Sequence, residues 1–415
     1  MSSVNQWLNL ARRLERRSRQ PLLHTFPELA LMAAVTLAIG ISVPHATSWH
    51  YFHDASVLLF SRTSGEGGGL DLYVAHPEFQ FGPVAVLAAA PFALVPSWIG
   101  HHAVLVAGTV LGMAALTAIR MLDPVPPSGA VSARALGAVT LAVTWSDVAV
   151  RTAHLDDALA LSATALACLG IAHDRPRLTT VSLVVAVAAK PWAVVFAPLA
   201  SVPPGPRRHL RPLLVAAGAA TTWAPFLVDD PATLRATGAF KIANAPASAL
   251  RALGVTDPWT PGWVRPAQFA IGTLLVASLC ARGRWRAAVM AGLAVRLLLD
   301  PGAHHYYTVG AVAGVSIWEG WARPGRMPLW GAATAVVLEV TPTLPPPAFA
   351  GTVRLGLLAL LLLLAVIHSG GRRSGGGAEP DGGEVAGPTP PPSLMPRPHA
   401  PVRRSTRGGS PRRSR

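Results

Sequence analysis

Long apolar runs, separated by short connectors in which arginine collects, set the pattern of this chain. Runs at about 28–47, 101–119, 135–150, 158–172, 212–228, 264–281, 287–300, 306–320, 327–341 and 348–368 predict membrane helices. About 20 apolar residues cross the hydrocarbon, and a helix satisfies its own backbone there. The stretch 83–119 carries Pro91 and Pro96, so it predicts two segments that break near Pro96–Gly100. Residues 178–201 are flanked by Arg175 and Arg177 on one side and by Arg207, Arg208 and Arg211 on the other. A single span would put these basic clusters on opposite faces, against their tendency to stay cytoplasmic. The stretch therefore predicts a hairpin of two half-depth helices broken at Lys190-Pro191, with Pro191 in the first turn of the second. In turn, 83–97 becomes a partial crossing. The expected fold is all-α, a polytopic helical membrane protein of about 10–13 membrane segments, some broken or partial.

The same pattern divides the chain. Residues 1–26, with Arg12, Arg13, Arg16, Arg17 and Arg19, predict a basic cytoplasmic N-terminus. Residues 27–369 form the membrane domain, with outer loops at 48–82 and 229–263. Residues 370–415, rich in Gly, Pro, Ser and Arg, predict a disordered cytoplasmic tail. Composition agrees: the chain is 51% hydrophobic and 13% charged, against roughly 25% charged in soluble domains. The net charge of +15 does not make it a nucleic-acid binder, because the arginines sit in connectors and tail and not on one folded face. Among 35 basic residues only Lys190 and Lys241 are lysines. Cys168 and Cys280 lie in separate apolar runs and read as buried structural thiols.

Ionisable residues at membrane depth are candidate functional groups. Four clusters are expected to meet at the outer face: Asp54 with Asp71; His154 with Asp156 and Asp157; Lys190; and Asp300, His304 and His305 with Tyr306 and Tyr307. Asp54 follows the first span directly, where it reads as a general base or as a surface carboxylate capping residues 55–60. Asp71 follows Gly67-Gly68-Gly69 and reads as a turn residue. Lys190, embedded in VVAVAAKPWAVVF, reads as a snorkelling lysine or as the partner of an anion such as phosphate. The His154 and His304 groups lack a metal-ligand spacing of the His-Glu-x-x-His kind. Arg296 and Asp300, four residues apart, predict an intrahelical ion pair, and Glu319 near Arg323 predicts a structural role.

These motifs resemble the C-type, polyprenyl-phosphate-dependent glycosyltransferases, most closely glycosyltransferase family 87, the bacterial membrane mannosyltransferases. The resemblance runs over most of 28–368. Asp54, then Asp71-Leu-Tyr73, then Phe79-Gln-Phe81-Gly-Pro83 resembles the family's first outer loop. Lys190-Pro191-Trp192 resembles its mid-chain Lys-Pro step, and Arg296-Leu-Leu-Leu-Asp300-Pro301, His305-Tyr306-Tyr307 and Trp318-Glu319 resemble its late segment in actinobacterial members. The chain departs from the pattern where Phe81-Gly82-Pro83 replaces Tyr-Pro-Pro and where Ala153-His154-Leu155-Asp156-Asp157 replaces Gly-His-Pro-Glu-Glu.

The resemblance implies a hexosyltransferase of the cell membrane with its active site on the extracytoplasmic face. It would move a sugar, mannose in the characterised pattern, from a polyprenyl-phosphate donor to a glycolipid or glycan acceptor of the envelope, with inversion. Asp54 would be the general base. Lys190, His305 and His304 would hold the donor phosphate, whose developing charge needs donors. Asp71, Tyr73, His154, Asp156, Asp157 and Tyr306 would line the substrate site. No nucleotide or other cofactor is expected, and no nucleic acid partner. Two rival readings remain on the residues alone, a transporter or lipid flippase and a non-catalytic scaffold for envelope assembly.

Overall fold

A computed structural model describes residues 25–42, 46–61, 67–122, 131–323 and 326–367. The basic head before Thr25, Glu66 and the tail after Ile367 lie outside the described residues. Helices follow one another as α1 (Thr25–Ser42), α2 (Trp49–Phe60), α3 (Leu72–Ala75), α4 (Pro83–Ala93), α5 (Ser97–Met121), α6 (Val131–Ser146), α7 (Leu155–Ala172) and α8 (Pro176–Ala189). After a 3-10 segment at Pro191–Ser201 come α9 (Arg211–Asp229), α10 (Thr233–Ala239), α11 (Ala249–Ala252), α12 (Val264–Ala281), α13 (Trp285–Leu298), α14 (Thr308–Ala322), α15 (Leu329–Val340) and α16 (Pro347–Ile367). Among the described residues 7 helices are long and apolar enough to cross a membrane: α1, α5, α6, α7, α9, α12 and α16, with α6 extended by a π turn and α9 by its leading turn. This is an all-α, multi-pass membrane architecture.

Helices α7, α13 and α14 are buried along most of their length and pack against α5, α8, α12, α15 and α16. The peripheral helices turn Leu37, Val106, Leu213, Leu274 and Leu363 outward, the apolar exterior that lipid requires. Exposed Trp98 and Trp263 sit at the N-terminal ends of α5 and α12, where amphipathic rings favour the interface. Helix α13 has 14 residues, or about 21 Å at 1.5 Å per residue, short of the ~30 Å hydrocarbon. Its apolar surround is supplied by neighbouring helices.

Prolines place the breaks. Pro96 opens α5 and separates it from the short α4, as the sequence predicts. Pro191 removes a backbone donor and forces the residue before it out of the helical region. Lys190 accordingly stands extended at φ −142°, ψ 112°, ending α8. The two halves of this broken element pack on one another. The segment 48–82, expected as a loop, instead holds α2, because Trp49, Phe52, Ala55 and Ser56 recur at helical spacing and bury one face, and α2 packs on α4. Likewise 229–263 contains α10 and α11.

Candidate functional site

The break after α8 delivers Lys190 to the first turn of α7. There Asp156 and Asp157 are buried, at 0% and 1% exposure. The Lys190 ammonium hydrogen-bonds Asp156 and lies 3.5 Å from Asp157 Oδ2. From α13, Arg296 donates to Asp157 Oδ1 at 3.0 Å, and the Trp192 indole N–H donates to the same oxygen at 3.0 Å. The Arg296 guanidinium is held between rings, 4.0 Å from the centroid of Trp192 and 4.8 Å from that of Tyr307. Gln268 donates to the Arg296 carbonyl at 2.7 Å. Two cations thus face two carboxylates, and the buried charges cancel. Desolvation makes such a cluster tolerable only when every charge is paired.

His154 links this network to an aromatic stack. Its ring lies 4.0 Å from Tyr306, and Tyr306 lies 5.3 Å from His304. Its Nδ1 is 3.5 Å from Asp156 Oδ1, while Nε2 and the Ser48 hydroxyl are 3.2 Å apart. The backbone just before His154 is unusual. A π turn at Asp147–Arg151 carries α6 into Ala153, a buried non-glycine residue at φ +52°. Such conformations cost about 1–3 kcal/mol and cluster at functional sites. The same segment receives α2: Ala46, Thr47 and Ser48 donate backbone N–H groups to the carbonyls of Val150, Arg151 and Thr152 at 2.7, 3.0 and 2.9 Å. Gly82 completes the seam, donating to the Ala189 carbonyl at 2.8 Å. A Cβ at Gly82 would stand 2.0 Å from the Ala188 carbonyl oxygen, so the close approach requires glycine. Phe81 then stacks on Phe52 of α2, with centroids 4.4 Å apart.

Of the expected site residues, His154, Asp156, Asp157, Lys190, Tyr306 and His304 are brought together. Several expectations need correction. Lys190 is not a lone cation in an apolar hairpin, because two carboxylates already neutralise it. Arg296 pairs with Asp157, 139 positions away, and not with Asp300. Asp300 instead accepts the Gly302 N–H at 2.8 Å, closing its own turn, and burial pushes its carboxyl above the ordinary range. His305 is engaged by Glu339 Oε2 at 2.7 Å, a hydrogen bond that raises its imidazole above the usual value. Tyr73 is fully buried, its ring 4.7 and 4.9 Å from those of Trp223 and Phe226.

Asp54 stands apart from the network. It lies within α2, whose N-cap is Ser48, so it does not cap that helix. Its side chain is 57% exposed and meets His53 Nδ1 at 3.0 Å. Asp71 ends the 3-10 turn Gly69–Asp71, which Gly69 opens at positive φ, as a turn residue should. Glu319 accepts the Trp330 and Gly331 N–H groups, each at 3.1 Å, and so caps α15, the structural role expected.

His154, Asp156 and Asp157 present potential ligand atoms within 4.8 Å of one another. The donor set does not fit a divalent cation well, since Lys190 and Arg296 already balance both carboxylates. The sequence reading missed Glu28, which holds Arg120 of the last turn of α5 and Arg134 of α6 at 2.5 Å each. It also missed Arg354, buried in α16. Each was visible as an isolated charge in an apolar run. No known family model matches the chain, nor does any curated protein or solved structure.

Proposed function

We propose that this chain is a cell-membrane glycosyltransferase that moves a sugar, mannose first among candidates, from a polyprenyl-phosphate donor to an envelope glycolipid or glycan on the extracytoplasmic face. Asp54 serves as general base, taking the proton of the acceptor hydroxyl while that oxygen attacks the anomeric carbon and the lipid phosphate departs. The supporting observation is the seam that ties α2 to the charged network. Asp54 is six residues beyond Ser48, which is bonded to the His154 segment. At 1.5 Å per residue that is about 9 Å along the helix. An accessible carboxylate is therefore anchored beside a rigid, aromatic and polar cluster, whereas Asp156 and Asp157 are buried and paired and cannot accept a proton from a substrate. His53, whose Nδ1 lies 3.0 Å from Asp54 Oδ1, orients Asp54.

A broken helix with paired charges at its tip also suits a transporter. Purified protein given radiolabelled polyprenyl-phosphate mannose and an envelope-lipid extract separates the two readings. Label in a new glycolipid or glycan product supports transfer. Label that crosses a vesicle membrane with the donor intact supports transport and removes the transferase reading.

A further inference from the structure

Buried cations in the described helices are met by carboxylates or, for Arg211, by the backbone carbonyls of Pro203 and Pro204 at 2.7 and 2.9 Å. Lys190 and Arg296 face Asp156 and Asp157, and Arg120 and Arg134 face Glu28. Arg354 of α16 has neither kind of partner at Nε or NH1. Its side chain is 1% exposed, yet Nε and NH1 have no hydrogen-bond partner. Asp300, Glu339 and Tyr307 lie within electrostatic range of it. Neither carboxylate comes within 4.0 Å, and both are engaged elsewhere, Asp300 by the Gly302 N–H and Glu339 Oε2 by His305. Three further buried polar atoms on elements packed around α16 are also without partners: Thr334 Oγ1 and Glu339 Oε1 on α15, and Thr341 Oγ1 on the turn after it.

An uncompensated buried guanidinium is strongly unfavourable in a folded chain, and in a membrane helix more so. The other buried cations find carboxylate or carbonyl acceptors, and this one is left with free donors. The free donors belong to a planar fork suited to a group with several acceptor oxygens. We propose that Arg354 is an anion site for a phosphate-type oxyanion, carried by a lipid or free in solution, and that Glu339 Oε1 and Thr341 Oγ1 take the guest's hydroxyl or water. The site borders the Lys190 network through Tyr307, and its argument stands independently of the transfer reading.

The test compares wild type, Arg354→Met and Arg354→Lys in detergent or lipid nanodiscs. Binding of polyprenyl phosphate, neutral polyprenol and inorganic phosphate is measured by ligand-dependent thermal unfolding and by native mass spectrometry. Wild type should bind the phosphorylated lipid at least tenfold more tightly than polyprenol. Arg354→Met should lose about tenfold or more of that affinity, the factor that one charged hydrogen bond carries. Arg354→Lys should keep part of it. Without ligand, Arg354→Met should unfold at the same or a higher temperature, because an unpaired charge has been removed. Competition by inorganic phosphate would identify the free anion as sufficient, and its failure to compete would identify the lipid-borne group. Equal affinity in Arg354→Met, equal binding of polyprenol, or a lowered unfolding temperature without ligand would each overturn the site. Transfer activity is scored separately, so its absence bears on the transferase reading alone.

Discussion

Asp156 and Asp157 open α7 with almost no exposure, and each is held by a cation from a distant part of the chain. Asp54 lies on α2, more than half exposed, with only a neighbouring imidazole beside it. The same functional group thus does opposite work at two places joined by one backbone seam. Buried, it must be charge-balanced to exist, and it then fixes where α7, α13 and the break after α8 meet. Exposed, it is open to solvent and to a substrate. The difference separates the carboxylates that hold the fold together from the one that the proposed transfer uses.

The contrast breaks most readily from the buried side. Lys190→Met strands Asp156 without its cation, and breaking a buried pair by removing one partner costs roughly 3–5 kcal/mol. Denaturant or thermal unfolding in detergent should show that loss. The double change Lys190→Met with Asp156→Leu should recover much of it, since an apolar replacement of a whole pair is often neutral. An undiminished stability in Lys190→Met would return Lys190 to the role of an available cation.

Glu28→Gln should cost less, roughly 1.5–3 kcal/mol, because Arg120 and Arg134 lose one charge-assisted partner but retain partial access to water. The same unfolding measurement checks it. The smallest effect belongs to His305. Its hydrogen bond to Glu339 raises the folded imidazole above the unfolded value near 6.5. Stabilisation by this pair is then full below that value and fades as pH rises through the folded one. The unfolding difference between wild type and His305→Gln should narrow as pH is raised from about 6 toward 8. A gap that widens with pH would reverse the assignment.

Hydropathy carried the fold far. The run predicted at 264–281 coincides with α12, and the breaks at Pro96 and Pro191 stand where proline chemistry puts them. Local spacing failed where partners are remote. Arg296 was matched to Asp300 because the two are one helical turn apart, yet its carboxylate is Asp157, brought from α7 by packing. Two adjacent acidic residues in so apolar a chain demand two interior cations, and that count would have pointed to Lys190 and Arg296. The helical character of 48–60 was written in Trp49, Phe52, Ala55 and Ser56 and was masked by the surrounding polar residues.

The central claim is that the exposed carboxylate, and not the buried pair, performs chemistry. Its most direct test is the rate of sugar transfer from radiolabelled polyprenyl-phosphate mannose by wild type and by Asp54→Asn, in samples matched for folded protein. Asn keeps the size of Asp and cannot take the proton. The account predicts unfolding within about 0.5 kcal/mol of wild type, as for other exposed substitutions. It predicts transfer reduced by at least about a hundredfold, the usual scale for a lost general base. Transfer at near wild-type rate in Asp54→Asn would contradict it.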